Sequence, residues 1–134
     1  LAVGAVGACA LIRRRQKRLA DPELLRRQKA RRKAMGALDR ARAHDPDRVA
    51  CAAAAEDALR TFLHERADIT TGAMSPEELG DAVEQAGAEL AAPQVETWMR
   101  SVAAVRYAGR SEPSVDELLQ RGRELIEALT EEFE

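Results

Sequence analysis

Apolar positions recur at helical spacing along most of the chain after residue 21. The repeat is clearest near the C-terminus, where residues 115–133 carry an apolar residue every three or four positions. Such spacing places the apolar side chains on one face of an α-helix, whereas a half-buried strand would alternate apolar and polar residues. No segment alternates in that way. The pattern predicts an all-α fold, a small bundle of about four to five helices.

Short polar motifs mark the starts of these helices. An aspartate or serine followed by proline and acidic residues is typical of a helix N-terminus, because the first side chain accepts a hydrogen bond from a free backbone amide and proline needs none. The chain carries these motifs at Asp21-Pro22-Glu23, Asp45-Pro46-Asp47, Ser75-Pro76-Glu77-Glu78 and Ser114-Val115-Asp116-Glu117. Together with the glycines they predict helices over about 22–43, 45–66, 76–86, 93–107 and 115–133.

The inward face of each helix follows from its apolar stripe. We expect a core that contains Trp98, Met99, Val102, Leu59, Phe62 and Leu119 in mutual contact. The first helix offers only a thin stripe, formed by Leu24, Leu25, Ala34, Met35, Leu38 and Ala41. The short third helix is expected to turn Leu79, Ala82, Val83 and Ala86 inward.

The first eighteen residues have a different character. Residues 1–12 are uninterrupted apolar and small residues, and a basic cluster follows them directly at Arg13, Arg14, Arg15, Lys17 and Arg18. An apolar run that ends in basic residues is typical of the cytoplasmic end of a membrane helix. Twelve residues reach about 18 Å, less than the roughly 30 Å of a bilayer core. We therefore interpret residues 1–12 as the end of a longer transmembrane helix.

Two other interpretations of residues 1–12 remain open. A secretory signal peptide carries its positive charges before the apolar region, the reverse of the order found here. A buried helix of a soluble protein is the second alternative, since apolar runs of ten to fourteen residues often belong to a core.

Charge divides the chain in two. Residues 1–48 hold 14 Lys and Arg against 5 Asp and Glu, while residues 49–134 hold 7 against 18. We expect three parts: the end of a transmembrane helix over 1–12, a basic juxtamembrane helix over 13–44, and a cytoplasmic helical bundle over 45–134. The basic cluster at residues 13–18 is a candidate contact with anionic lipid head groups. Nucleic acid is disfavoured, because the remainder is acidic and no aromatic residue interrupts the basic stretch.

Residues with chemical potential are sparse, so the sequence predicts no catalytic centre, no cofactor and no metal site, and the segment is expected not to be an enzyme. The only histidines, His44 and His64, lie on different predicted helices. Cys9 and Cys51 stand in unrelated surroundings and make no metal site by themselves. The serines at 75 and 114 are explained as helix caps rather than nucleophiles.

The layout and several short motifs resemble a known family. The motifs are Ala58-Leu59-Arg60-Thr61-Phe62-Leu63, a Ser75-Pro76-Glu77-Glu78-Leu79 helix start, the following Gly87, and Val105-Arg106-Tyr107-Ala108. Together with a late apolar run and a basic stretch, they are similar to the C-terminal region of bacterial BatD-type oxygen-tolerance proteins. A cysteine or aspartate often precedes the Arg-Tyr pair in that family, whereas Ala103-Ala104-Val105 stand here.

The resemblance implies a role rather than a reaction. It implies a bacterial inner-membrane protein with a single late span and a helical cytoplasmic tail, which works beside von Willebrand factor A-type membrane proteins and a MoxR-type AAA+ ATPase in oxygen and envelope-stress tolerance. An alternative is the cytoplasmic regulatory tail of a membrane-bound transglutaminase-like protein. A third is a basic helix that binds anionic lipid or nucleic acid as its main function.

Arg106 and Tyr107 are the candidate partner-contact residues, because the pair recurs in the resemblance and both residue types are favoured interface anchors. A structural role is the competing interpretation. In that interpretation Arg106 interacts with the C-terminal dipole of its helix and Tyr107 closes the core with its hydroxyl in water.

Overall fold

A computed structural model describes residues 22–133 of the chain. All regular secondary structure in that range is helical. The elements are α1 (Pro22–Ala41), a 3₁₀ turn (Arg42–His44), α2 (Arg48–Ala67), α3 (Pro76–Gln85), α4 (Ala92–Tyr107) and α5 (Val115–Glu132). The all-α bundle is thus confirmed. The predicted membrane-helix end over 1–12, the basic cluster over 13–18 and the cap at Asp21 lie outside the described residues. None of the described helices combines the length and apolar character needed to cross a membrane.

The helix starts follow the predicted capping chemistry with one correction. Ser75 accepts from the amide of Glu78, and the Glu78 carboxylate in turn accepts from the Ser75 amide. Ser114 accepts from the amide of Glu117. The second helix does not begin at Asp45, however. Its cap is Asp47, which accepts from the amide of Ala50 at 3.0 Å. Either aspartate has a side chain that can cap a helix, and Asp47 is the one that does so.

One core runs through all five helices. The six residues expected to pack together, which include Trp98 and Phe62, are each at most 4 % exposed and belong to the same apolar cluster. Helix α1 contributes Ala30, Ala34, Leu38 and Ala41 to this cluster. The basic helix is therefore packed in the bundle from residue 30 onward, and one apolar core includes residues on both sides of position 44.

Two details of the predicted inward faces are wrong. Leu24 and Leu25 are 44 % and 43 % exposed, because α1 reaches the end of α2 there: Arg26 binds the carbonyl of Glu65 and the carboxylate of Asp68. Ala86 is exposed as well. Helix α3 ends one residue before it, and Gly87 takes a positive φ of 111° that directs Ala88 inward in its place.

The two ends of the bundle are defined by ion pairs and caps. At one end, the start of α1 lies beside the end of α2, and the Glu132 carboxylate near the end of α5 accepts from the amides of Leu90 and Ala91 at 2.8 and 2.7 Å. At the other end, Arg42 pairs with Asp116. The C-terminus of α4, which carries Arg106 and Tyr107, belongs to this second end, away from the start of α1.

Candidate partner-binding surface

The end of α4 places its two candidate residues in opposite environments. Val105, the preceding residue, faces the core and is 2 % exposed. Arg106 is partly buried, with 24 % of its side chain exposed, whereas Tyr107 is 75 % exposed. The interpretation in which Tyr107 closes the core is therefore wrong. Tyr107 follows Val105 by two positions, so its side chain lies about 200° around the helix axis from the buried Val105 side chain. The ring therefore points away from the apolar cluster.

A small network of charged groups fixes Arg106. Its guanidinium donates to the Glu56 carboxylate on α2, which is 16 % exposed and also lies 3.8 Å from Arg60. Arg60 in turn donates to the carbonyls of Thr71 and Met74 and so ties the loop before α3 to α2. Charged groups this far from water are stabilised only while they are paired. The Arg106 guanidinium is thus held in one place, although its Nε has no hydrogen-bond partner within residues 22–133.

Tyr107 lies against this fixed guanidinium. The Cζ atom of Arg106 is 4.9 Å from the centroid of the Tyr107 ring, a cation–π distance. Such a contact restricts the ring without burying it. The result is an exposed aromatic ring next to a guanidinium that Glu56 holds in place.

The loop that follows Tyr107 is also held tightly. Gly109 adopts a positive φ of 63°, which lets the amide of Arg110 return to the carbonyl of Ala104 and end the helix. Arg48 at the start of α2 then donates to the carbonyls of Ser111 at 2.6 Å and Pro113 at 2.9 Å. The exposed Tyr107 ring therefore lies next to a loop that Arg48 of α2 holds in place.

A groove between α4 and α5 is lined by an aromatic residue, Trp98. It has a volume of about 370 Å³ and is lined by Pro93, Gln94, Thr97, Trp98, Ser101, Arg121, Glu124 and Leu125. Trp98 forms its floor but is only 4 % exposed, and the indole Nε1 donates to the Leu118 carbonyl at 2.9 Å. Trp98 is thus a core residue, as predicted, and not a docking residue.

The chemically reactive side chains do not converge. His44 and His64 are exposed on separate elements. Cys51 is fully buried, and that burial, reinforced by the nearby carboxylates of Asp45 and Asp47, raises the pKa of its thiol. The thiol therefore stays protonated near neutral pH, where it is a poor nucleophile. Within residues 22–133 no group of three or more His, Cys, Asp and Glu is arranged to hold a metal ion.

Sequence reasoning named Arg106 and Tyr107 but missed the residues that position them. Glu56 lies 50 positions from Arg106 and Arg48 lies 65 from Pro113, so no local motif links them. A partial signal was present for Glu56 and Arg60, since a carboxylate four residues before an arginine often forms a pair on a helix. The five candidate lipid-contact cations, Arg13, Arg14, Arg15, Lys17 and Arg18, lie outside the described residues.

Comparison with known proteins adds no relative. No protein-family model matches the sequence, and no curated protein or solved structure is significantly similar to it.

Proposed function

We propose that the chain is a non-enzymatic, membrane-anchored interaction module whose helical bundle docks on other membrane proteins of a bacterial inner-membrane complex. Residues 1–12 act as the end of the anchor, and the bundle lies in the cytoplasm. The observation that carries the proposal is Tyr107, an exposed aromatic ring on a guanidinium that Glu56 fixes. Tyrosine and arginine are enriched among the few residues that supply most of the free energy of protein–protein binding.

The position of the pair supports this function. Tyr107 lies at the end of the bundle away from the start of α1, and the basic cluster and apolar run precede α1 in the sequence. An anchor at one end leaves the opposite end accessible to a partner. The resemblance to the BatD-type tail supplies the class of partner, a von Willebrand factor A-type membrane protein.

A photo-crosslinker at position 107 tests the proposal in native membranes. The expected result is a crosslink to a von Willebrand factor A-type membrane protein, identified by mass spectrometry. Position 90 is a matched control, because Leu90 is also exposed, at 80 %, and lies at the opposite end of α4. A crosslink from position 90 but not from 107, or no von Willebrand factor A-type product from 107, would contradict the proposed contact.

Substitution of the same residue separates contact from folding. Tyr107→Ala removes an exposed ring, so the thermal midpoint is expected to change little while capture of the partner is lost. Leu90→Ala is expected to change neither. If Tyr107→Ala leaves capture intact, the ring is not the contact.

The cytoplasmic location is tested separately by a C-terminal reporter enzyme that is active only outside the cytoplasm. Positive charge after an apolar segment favours the cytoplasmic side, so low reporter activity is expected. High activity would contradict the proposed topology.

A further inference from the structure

The outward face of α1 carries a row of cations that the bundle does not use. Leu25, Lys29, Arg32 and Arg40 follow one another at helical spacing, with Gly36 between the last two, and all four side chains are exposed. The buried residues of the same helix, Ala30, Ala34, Leu38 and Ala41, occupy the other side. We call Leu25, Lys29, Arg32 and Arg40 the outer row. Its cations extend over about 17 Å of helix, at 1.5 Å per residue from 29 to 40.

Three other cations of α1 differ, because they are paired with the acidic bundle. Arg26 pairs with Asp68, Lys33 with Glu65 and Arg31 with Glu127. By contrast, Lys29, Arg32 and Arg40 form no ion pair within residues 22–133. Asp39, the acidic residue in the second half of α1, is itself bound by Arg123. The outer row therefore presents positive charge to solvent without local neutralisation.

The charge distribution over the whole bundle favours an orientation in which the outer row faces an anionic surface. Residues 22–44 hold eight Lys and Arg against two Asp and Glu, whereas the rest of the bundle is strongly acidic. An anionic surface would attract the α1 side and repel the other sides. A planar surface fits this arrangement, since the row is straight, lies along one helix face and includes a half-exposed leucine that can enter an interfacial layer.

The chain before α1 indicates which planar surface is within reach. Four residue steps separate Arg18 from Pro22, a distance of at most about 14 Å even when fully extended. If residues 1–12 lie in a bilayer, as the proposed function states, α1 begins next to the head groups. We infer that the outer row of α1 docks the bundle on anionic phospholipid head groups, with α1 lying along the membrane surface. This inference rests on the proposed membrane anchor and adds the orientation of the bundle.

Binding of the full chain to vesicles tests the inference. The measured quantity is the ratio of affinities for vesicles of phosphatidylcholine with phosphatidylglycerol and vesicles of phosphatidylcholine alone. Each basic residue near an anionic surface strengthens binding about fivefold. The triple variant Lys29→Gln, Arg32→Gln, Arg40→Gln is therefore expected to lower the ratio roughly 100-fold, the product of its three contributions.

The matched control is the triple variant Arg100→Gln, Arg110→Gln, Arg121→Gln. It removes the same charge from exposed positions on other sides of the bundle, so its affinity ratio is expected to stay close to that of the wild type. Both variants should keep the wild-type thermal midpoint within the effect of surface substitutions. An equal fall in both variants would mean that only net charge matters and would overturn the inference.

The remaining outcomes are also decisive. An unchanged ratio in the outer-row variant overturns the inference. The inference is also overturned if the outer-row substitutions weaken binding to duplex nucleic acid but not to vesicles. Failure of the membrane anchor has a different signature: the wild type would not bind phosphatidylcholine vesicles, while the row could still be measured on the anionic ones.

Discussion

The packing of α1 differs in kind from the packing between α4 and α5. Between α4 and α5 the buried side chains are large: Trp98 on one helix, and Leu118, Leu125 and Ile126 on the other. On α1 the buried residues are three alanines and a single leucine, Leu38. Since burial stabilises at about 25 cal/mol per Å² of apolar surface, the α4–α5 contact contributes far more per residue. Helix α1 combines this close alanine packing with ion pairs to α2 and α5.

Those ion pairs stabilise weakly, because each has at least one partner about half exposed or more. Exposed pairs typically contribute about 0–1 kcal/mol each. From this difference in side-chain size and ion pairing we expect α4 and α5 to form a firm side of the bundle and α1 a loosely held side. The loosely held side is the one that we propose lies against the membrane, where contacts with lipid would add to its stability.

The largest expected effect tests the firm side. Trp98→Ala removes a buried ring and its hydrogen bond to the Leu118 carbonyl, and should lower the free energy of unfolding by about 3–5 kcal/mol. Urea denaturation measures it. Tyr107→Ala is the control, because it removes a ring that is exposed. Equal losses in the two variants would mean that Trp98 does not anchor the core.

Leu38→Ala tests the other side at its one large residue. Truncation of a fully buried leucine should cost about 2–5 kcal/mol, near the lower end here because α1 can shift toward the bundle. Hydrogen exchange locates the effect: amides of α1 should lose protection more than amides of α5. Uniform loss over all helices would show that α1 is as tightly coupled as the rest, contrary to the comparison.

The two sides meet at Gly122 on α5. A Cβ atom there would lie 3.1 Å from Cζ2 of Trp98 and 3.5 Å from Cδ2 of Leu38. Gly122→Ala improves helix propensity by about 1 kcal/mol but overpacks a core position, which costs about 1–3 kcal/mol, so a net loss is expected. Gly36→Ala is the control, since its nearest neighbour is the flexible end of Arg40. A more stable Gly122→Ala would mean that the indole moves easily and that the α4–α5 contact is not firm.

Much of this fold was predictable because its signals are local. Ser75 and Ser114 cap helices through bonds that span three residues, and the apolar stripe of α5 repeats within one helix. The sequence alone does not show which part of the bundle each helix face or helix end contacts. The exposure of Leu24 depends on where α2 ends. Likewise, the start of α4 has no capping side chain of its own and is completed by Glu132, which lies 41 positions from Ala91.

The candidate surface shows the same division. Arg106 and Tyr107 were identifiable as a pair by their chemistry, but their separate environments depend on Glu56. A motif therefore located the residues, while only the packing of α2 on α4 decided that arginine is the support and tyrosine the exposed ring.

The smallest expected effect concerns the ion pairs of α1, and it decides whether they hold the helix at all. Raising the salt concentration to about 1 M shortens the Debye length to about 3 Å and should weaken exposed pairs such as Arg26–Asp68 and Lys33–Glu65. Hydrogen exchange at high salt is expected to show a lower free energy of opening for α1 than at low salt, by less than about 1 kcal/mol for each pair. The free energy of opening in the centre of α5 should not change.

Salt can also strengthen apolar contacts, so the variant Lys33→Gln, Glu65→Gln serves as the control, because it lacks one pair at unchanged net charge. Its α1 amides should respond less to salt than those of the wild type. If salt has no effect on wild-type α1, the alanine contacts alone hold this helix and the charge pairs are incidental.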